Sequence, residues 1–273
     1  MEKQKMELGA IQKTLLFPLW GRAIETKKEK PLLMDHTAVR IMESLDDDFS
    51  SHFNGLSVIS QLGWVVRSML IDQIIVRFLQ KNPNGTIVDI GCGLDTTFER
   101  MDNGTLRWYD LDMPDTIELR RKFFQENERR TFLSGSFLDE AWLETLPAEN
   151  NILFVSAGVF YYYEEKDIKL FFRRIAQSFP GCEIAFDASS PFGIKMANKM
   201  VLKKGGMGED TFLKWGIRNA KEMESWDDRL SVLSEEPFFK DIRTNRDLKT
   251  RLQLYFSDKT KMQYLIHVKV RRD

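Results

Sequence analysis

The apolar residues of this chain change their spacing along its length, and the changes divide it into segments of different secondary structure. From Gly55 to Leu79 the positions Leu56, Ile59, Leu62, Val65, Val66, Met69, Leu70, Ile74 and Phe78 recur at helical spacing, and Asn82, Pro83, Asn84 and Gly85 stop the run. Ahead of it, residues 10–50 read as shorter helices broken at Pro18, Pro31 and the acidic stretch Asp46, Asp47 and Asp48, which suits a solvated helix end better than a metal site. From Thr86 to about Ser190, short apolar runs alternate with amphipathic segments, the pattern of βαβ units around a parallel sheet covered on both faces. The predicted strands are TIVDIG, LRWYDLD, RTFLSGS, NILFVSAGV and CEIAFDAS. Helices are predicted near Asp115–Glu126, Glu140–Thr145 and Glu165–Ser178, the last ending at Pro180 and Gly181. Beyond Pro191 the segment IKMANKMVLKKGGMG is helical and then flexible, and 211–225 is helical again, which predicts a lid over the strand ends. Its Lys203, Lys204, Gly205, Gly206 and Gly208 follow a helix rather than a strand and so do not read as a phosphate loop. A strand near Asp228–Glu235, a helix near Arg246–Tyr255 and the alternating run QYLIHVKVRR, expected to be antiparallel, close the chain.

The expected architecture is therefore one α/β domain over residues 1–273: a helical part (1–84), a nucleotide-binding core (85–190), a lid (191–227) and a C-terminal sheet edge (228–273). Charge sharpens the picture by exclusion. With 40 basic and 41 acidic side chains the formal charge is -1, so no global basic field gathers nucleic acid or anionic lipid. Cys92 and Cys182 are far apart and lack companion histidines at ligand spacing, which argues against a disulfide framework or a zinc site and suits a reducing cytoplasm. No apolar run approaches the roughly 20 residues of a spanning helix.

In an open α/β sheet the ligand lies beyond the carboxyl ends of the strands at the switch point, so the turn GCGLD after TIVDI is where chemistry is expected. Gly91 and Gly93 let a backbone bend tightly and approach a ligand closely. Asp110 and Asp112, about twenty residues on at the end of the next strand, are placed to accept ribose hydroxyls. A dinucleotide site would carry a third glycine for its pyrophosphate, whereas here Thr96 follows an acidic Asp95 that would repel it. S-adenosylmethionine carries no phosphate and is cationic, and it suits such a turn. Asp89 fits either the ligand or the turn's own amides, and Cys92 fits a small packed residue better than a nucleophile.

The strings TLLFPLWGRAIE, IVDIGCGLDTTFER, WYDLDMPDTIELRR, SFLDEAWLETLP, FYYYEEKDIKLFFRRIAQSFPG and AFDASSP, in this order over residues 11–190, resemble the leucine carboxyl methyltransferase family. The closer branch is its small-molecule O-methyltransferases, of the type found in tetracenomycin polyketide biosynthesis. The resemblance implies a class I methyltransferase fold, Rossmann-like and doubly wound, with a mostly parallel seven-stranded sheet, an N-terminal helical segment and a helical lid. It implies S-adenosylmethionine as cofactor and a small-molecule methyl acceptor. It places Arg67, the Gly91 to Asp95 turn and Asp112 at the cofactor, with Ser136 and Phe137 beside the adenine. This chain departs from the family at Thr97, where arginine is usual, at Ala157, where an acid is usual, and at Ser136, where an acid is common. The missing carboxylate at Ala157 removes a partner of the cofactor's ammonium, and a degenerate cofactor-binding member without turnover is the competing expectation.

Methyl transfer from a sulfonium is an in-line displacement in which the protein chiefly aligns the acceptor and excludes water. A hydroxyl acceptor gains from a base and a carboxylate does not need one. The candidates are Tyr162, which matches the family's tyrosine within the cluster Phe160, Tyr161, Tyr162 and Tyr163, and Asp187 at the end of the fifth strand. His267 reads as a sheet residue, and His36 and His52 as surface or capping residues.

Overall fold

The computed structural model describes residues 10–45, 57–147, 151–199 and 212–272. The N-terminal helices are α1 (Ala10–Thr26), α2 (His36–Ser44) and α3 (Val58–Lys81). After them come β1 (Thr86–Ile90), α4 (Thr97–Met101), β2 (Arg107–Asp112), α5 (Pro114–Arg120), β3 (Arg130–Ser134) and β4 (Ile152–Ser156). The chain continues through α6 (Glu165–Ser178), β5 (Glu183–Ala188), α7 (Pro191–Ala197), β6 (Leu230–Pro237), α8 (Leu248–Lys259) and β7 (Tyr264–Val270). The strands form one seven-stranded sheet in the order β3-β2-β1-β4-β5-β7-β6. All pairs from β3 to β5 are parallel, and β7 runs antiparallel to both β5 and β6. This is the doubly wound, mostly parallel class I arrangement, with the antiparallel final strand in place.

Side-chain alternation along the strands assigns the two faces. Val88, Ile90, Leu111, Phe154, Ile184 and Phe186 meet the Ile168, Phe171, Phe172 and Ile175 stripe of α6. Ile87, Leu153, Val155, Ala185 and Leu265 meet Leu62, Val66, Ile74, Ile75 and Phe78 of α3. A third cluster matters most for the site. Leu16, Leu19 and Ala23 of α1, with Ala38 and Ile41 of α2, pack on Cys92 and Leu94, so the N-terminal helices are seated on the turn that follows β1.

Several predicted boundaries shift. α1 runs unbroken through Pro18, because its buried side chains on the third cluster outweigh the one backbone hydrogen bond a proline removes. The segment expected to be helical over 211–225 yields only a 3-10 turn at Ala220–Ser225; Trp215 and Ile217 are buried in a stretch without regular structure. α5 ends at Arg120 rather than near Glu126, Glu140–Thr145 is a 3-10 turn over Ala141–Thr145, and α8 is displaced to start after its cap, Asp247, which accepts from the Thr250 amide. Asp46 to Asp48, His52 and the Lys203 to Gly208 lid stretch lie outside the described residues.

Candidate cofactor site

β1 is buried along its whole length, and its chain leaves the sheet through two left-handed residues, Gly91 (φ +67°) and Gly93 (φ +46°). At the first, space as well as φ demands glycine. A Cβ on Gly91 would lie 2.3 Å from Val159 Cγ2 and 3.3 Å from its Cβ, whereas at Gly93, where the nearest atom is the flexible end of Leu15, φ is the constraint. The amides of Gly91 and Cys92 donate to the Leu111 carbonyl, and Asp112 takes the Gly93 amide on Oδ2 at 2.7 Å and the Met113 amide on Oδ1 at 2.7 Å. Asp112 is half-buried at the strand's end, and burial pushes its carboxyl up despite those two amides.

Asp110 does not share that position. Its carboxylate is wholly buried and receives Trp108 Nε1 (2.8 Å), Arg120 Nη2 (2.9 Å) and Arg130 Nε (2.7 Å), so it holds β2, α5 and β3 together and presents no exposed oxygen. The expectation of a cofactor role for Asp110 is corrected on this ground. Arg120 extends the same frame to the turn itself, donating to the carbonyls of Gly93 (2.8 Å) and Asp95 (3.0 Å). Asp89 lies buried beneath the turn with Oδ2 unpartnered; burial first, then Asp95 and Asp110, push its carboxyl well above the usual carboxylate range. Burial likewise pushes the Cys92 thiol well up, which removes it as a nucleophile.

Across the turn, α3 presents Arg67. Its Nη1 donates to Asp187 Oδ2 at 3.0 Å, and the same oxygen accepts Tyr161 Oη at 2.8 Å, while Asp187 Oδ1 accepts the Gly158 amide at 2.6 Å. Burial opposes the Arg67 charge, but Asp187, Tyr161 and Asp95 together leave the guanidinium raised above its ordinary value. Asp187 is only 2% exposed and accepts from three donors, so the candidate expected to face the cleft is buried beneath Arg67, Gly158 and Tyr161. Burial and then Asp187 push the Tyr161 hydroxyl well up, so it stays a donor.

A third group fastens the N-terminal helices. Asp35, the cap of α2, accepts from Arg22 Nε of α1 (2.8 Å), Arg100 Nη1 of α4 (3.0 Å) and the Thr96 hydroxyl. Arg100 also grips Asp72 of α3 with two nitrogens, at 2.8 and 3.0 Å, and reaches the Thr97 hydroxyl at 2.9 Å. Thr97, one departure from the family pattern, is thus buried and partnered. The sequence analysis does not single out Arg22, Asp35, Arg100 or Arg120, and it names Tyr161 only as one of the aromatic cluster; of these, Arg22, set in the apolar stretch LLFPLWGRAI, carries a signal.

The remaining candidates are placed as follows. Ser136, after β3, takes the Leu138 amide on its hydroxyl and gives its own amide to Asp139. Phe137 is buried, edge-on to Tyr163 at 4.6 Å and to Phe160 at 5.5 Å. Ala157 packs half-buried at the end of β4, and Tyr162 stands half-buried in the 3-10 turn Phe160–Tyr162. His36 is exposed at the start of α2, and His267 lies in β7 2.9 Å from Glu183. Among the described residues no cluster of His, Cys, Asp or Glu could hold a metal ion, and no helix is long and apolar enough to cross a membrane.

Known proteins resemble this chain in sequence and in fold. The family model described as leucine carboxyl methyltransferase matches residues 16–176. The tetracenomycin polyketide synthesis O-methyltransferase TcmP of Streptomyces glaucescens is 31% identical over 248 residues, covering 88% of this chain and 89% of that protein. The S-adenosyl-L-methionine-dependent methyltransferase dpfgK of Gibberella zeae is 27% identical over 251 residues, covering 82% and 81%. Among solved structures, a SAM-dependent methyltransferase from Anabaena variabilis superposes with a TM-score of 0.53 at 14% identity, covering 99% of each chain, which bears on the fold alone.

Proposed function

The chain belongs to the leucine carboxyl methyltransferase family, and from that premise we propose that it transfers the methyl group of S-adenosylmethionine to a hydroxyl or carboxylate oxygen of a small molecule. The donor set fits that cofactor. Asp95 and Asp112 stand at the turn and Thr96 takes the place of a third glycine, a poor seat for a pyrophosphate. The observation that carries the reading is the closure of the glycine turn by Asp112 at the switch point, with Arg67 on the helix opposite. When bound, S-adenosylmethionine supplies a methyl group already activated on a sulfonium, so the protein's share is alignment and exclusion of water.

In this reading Asp112 accepts the ribose hydroxyls, Arg67 binds the carboxylate of the amino-acid head, and Ser136 with Phe137 borders the adenine. Gly91, Gly93 and Ala157 offer backbone to the ammonium, while the buried Asp89 supports the turn from below. Tyr162 is the residue proposed to orient the acceptor. The small-molecule acceptor is proposed by analogy with the named activity of TcmP. Thermal melting tests the assignment: S-adenosylmethionine and S-adenosylhomocysteine should raise the melting temperature, because a ligand that binds only the native state stabilises it by mass action. NAD and ATP should not, and a shift with NAD alone would sink the assignment. Appearance of S-adenosylhomocysteine with a phenolic or carboxylic acceptor separates turnover from mere binding.

A further inference from the structure

We propose that Asp187 is a positioning residue that holds the Arg67 guanidinium and the Gly158 amide in the arrangement that receives the amino-acid head of the cofactor, and is not the proton acceptor of the reaction. The inference rests on the reading of the site given above. A carboxylate offers about four lone-pair sites. Three are taken here by donors from α3, from the residue after Ala157 and from the turn that follows it: Arg67 Nη1 at 3.0 Å, the Gly158 amide at 2.6 Å and Tyr161 Oη at 2.8 Å. At 2% exposure the fourth has no path to an acceptor.

What Asp187 does instead follows from its partners. It takes only Nη1 of Arg67, and no other acceptor among the described residues takes the rest of that planar group, which is 7% exposed. The fork is thus preset for a carboxylate, which guanidinium binds with two parallel bonds. Gly158 is set by the same contact. It is left-handed (φ +78°), and a Cβ there would lie 2.6 Å from Arg67 Nη1, so the guanidinium packs directly on this backbone. Because Ala157 offers no carboxylate, the ammonium of the head falls to the backbone carbonyls of this loop, and their direction is governed by the bond between Asp187 Oδ1 and the Gly158 amide. Both charges of the head therefore depend on Asp187, and the nucleoside does not.

The test is calorimetric titration of the full chain with S-adenosylhomocysteine, which has the head, and methylthioadenosine, which lacks it. Asp187→Asn should weaken S-adenosylhomocysteine at least tenfold and methylthioadenosine less than twofold, and Tyr161→Phe should change the two in the same sense with a smaller ratio. Equal weakening of both ligands, or no weakening, in a variant that still melts cooperatively overturns the inference while leaving the cofactor assignment intact. If Asp187→Asn does not fold, Tyr161→Phe decides: a head-selective loss supports the inference and a head-blind result overturns it. A wild-type chain that binds neither ligand removes the cofactor reading and this inference with it.

Discussion

Asp112 accepts the Gly93 amide at 2.7 Å, so the carboxylate that ends the second strand also closes the turn that ends the first. The carboxylate proposed to bind the ribose and the glycine turn are one unit. Any change at residue 112 therefore alters both the proposed ligand contact and the backbone of the turn.

Asp112→Ala is expected to weaken S-adenosylhomocysteine by about 1–3 kcal/mol, the cost of removing a charged hydrogen-bond acceptor, while the protein remains folded. Asp112→Asn keeps one oxygen for the Gly93 amide and should lose less. Calorimetry with circular dichroism checks both; undiminished affinity in Asp112→Ala would remove the ribose role.

Arg67→Lys keeps a positive charge but loses the planar fork that Asp187 and a ligand carboxylate can share. Its affinity for S-adenosylmethionine should fall roughly tenfold or more, about 1.4 kcal/mol. Binding of methylthioadenosine should hardly change, and competition titration against that headless ligand makes the comparison in one sample.

The Asp35 network predicts a stability effect that can be read without any ligand. Asp35→Asn leaves Arg22 and Arg100 beside a neutral group in a buried site, and breaking a buried pair from one side costs about 3–5 kcal/mol. Urea unfolding followed by tryptophan fluorescence measures it. A loss below about 1 kcal/mol would show that the N-terminal helices are not held by these ions.

Asp95 gives the corresponding pH dependence. Burial tends to raise its carboxyl, but Arg22 and Arg100 beside it, with the Thr97 bonds, bring it down to about 2 from 3.8. A folded value below the unfolded one means that the contribution is fully present above about pH 4 and is lost as pH falls toward 2. With its side chain 19% exposed, that contribution is on the order of 1–2 kcal/mol after screening. The stability gap between wild type and Asp95→Asn should stay level from pH 8 to 5 and close near pH 2. A gap that widened in acid would contradict the assignment.

What the sequence determined by itself is set by local rules: the period of apolar residues marks the β/α core, and the glycines of GCGLD mark where β1 must leave the sheet. Family motifs added Arg67 and Asp112. Spacing alone treats Asp110 and Asp112 alike, and the tertiary structure gives the physical reason why they differ. Asp110 and Asp112 are two apart on one strand and so point to the same face, which makes strand parity blind to the difference. Asp110 pairs in register with Asp89 inside the sheet and is sealed by Arg120 and Arg130, whereas Asp112 stands where the sheet stops. The family motif singles out Tyr162, yet it is Tyr161 that reaches Asp187, from a 3-10 turn that no periodicity announces. The bonds that matter most, Arg67 to Asp187 and Arg22 to Asp35 and Thr96, join elements 120, 13 and 74 residues apart. Local spacing carries no record of such pairs, because packing alone brings them within reach.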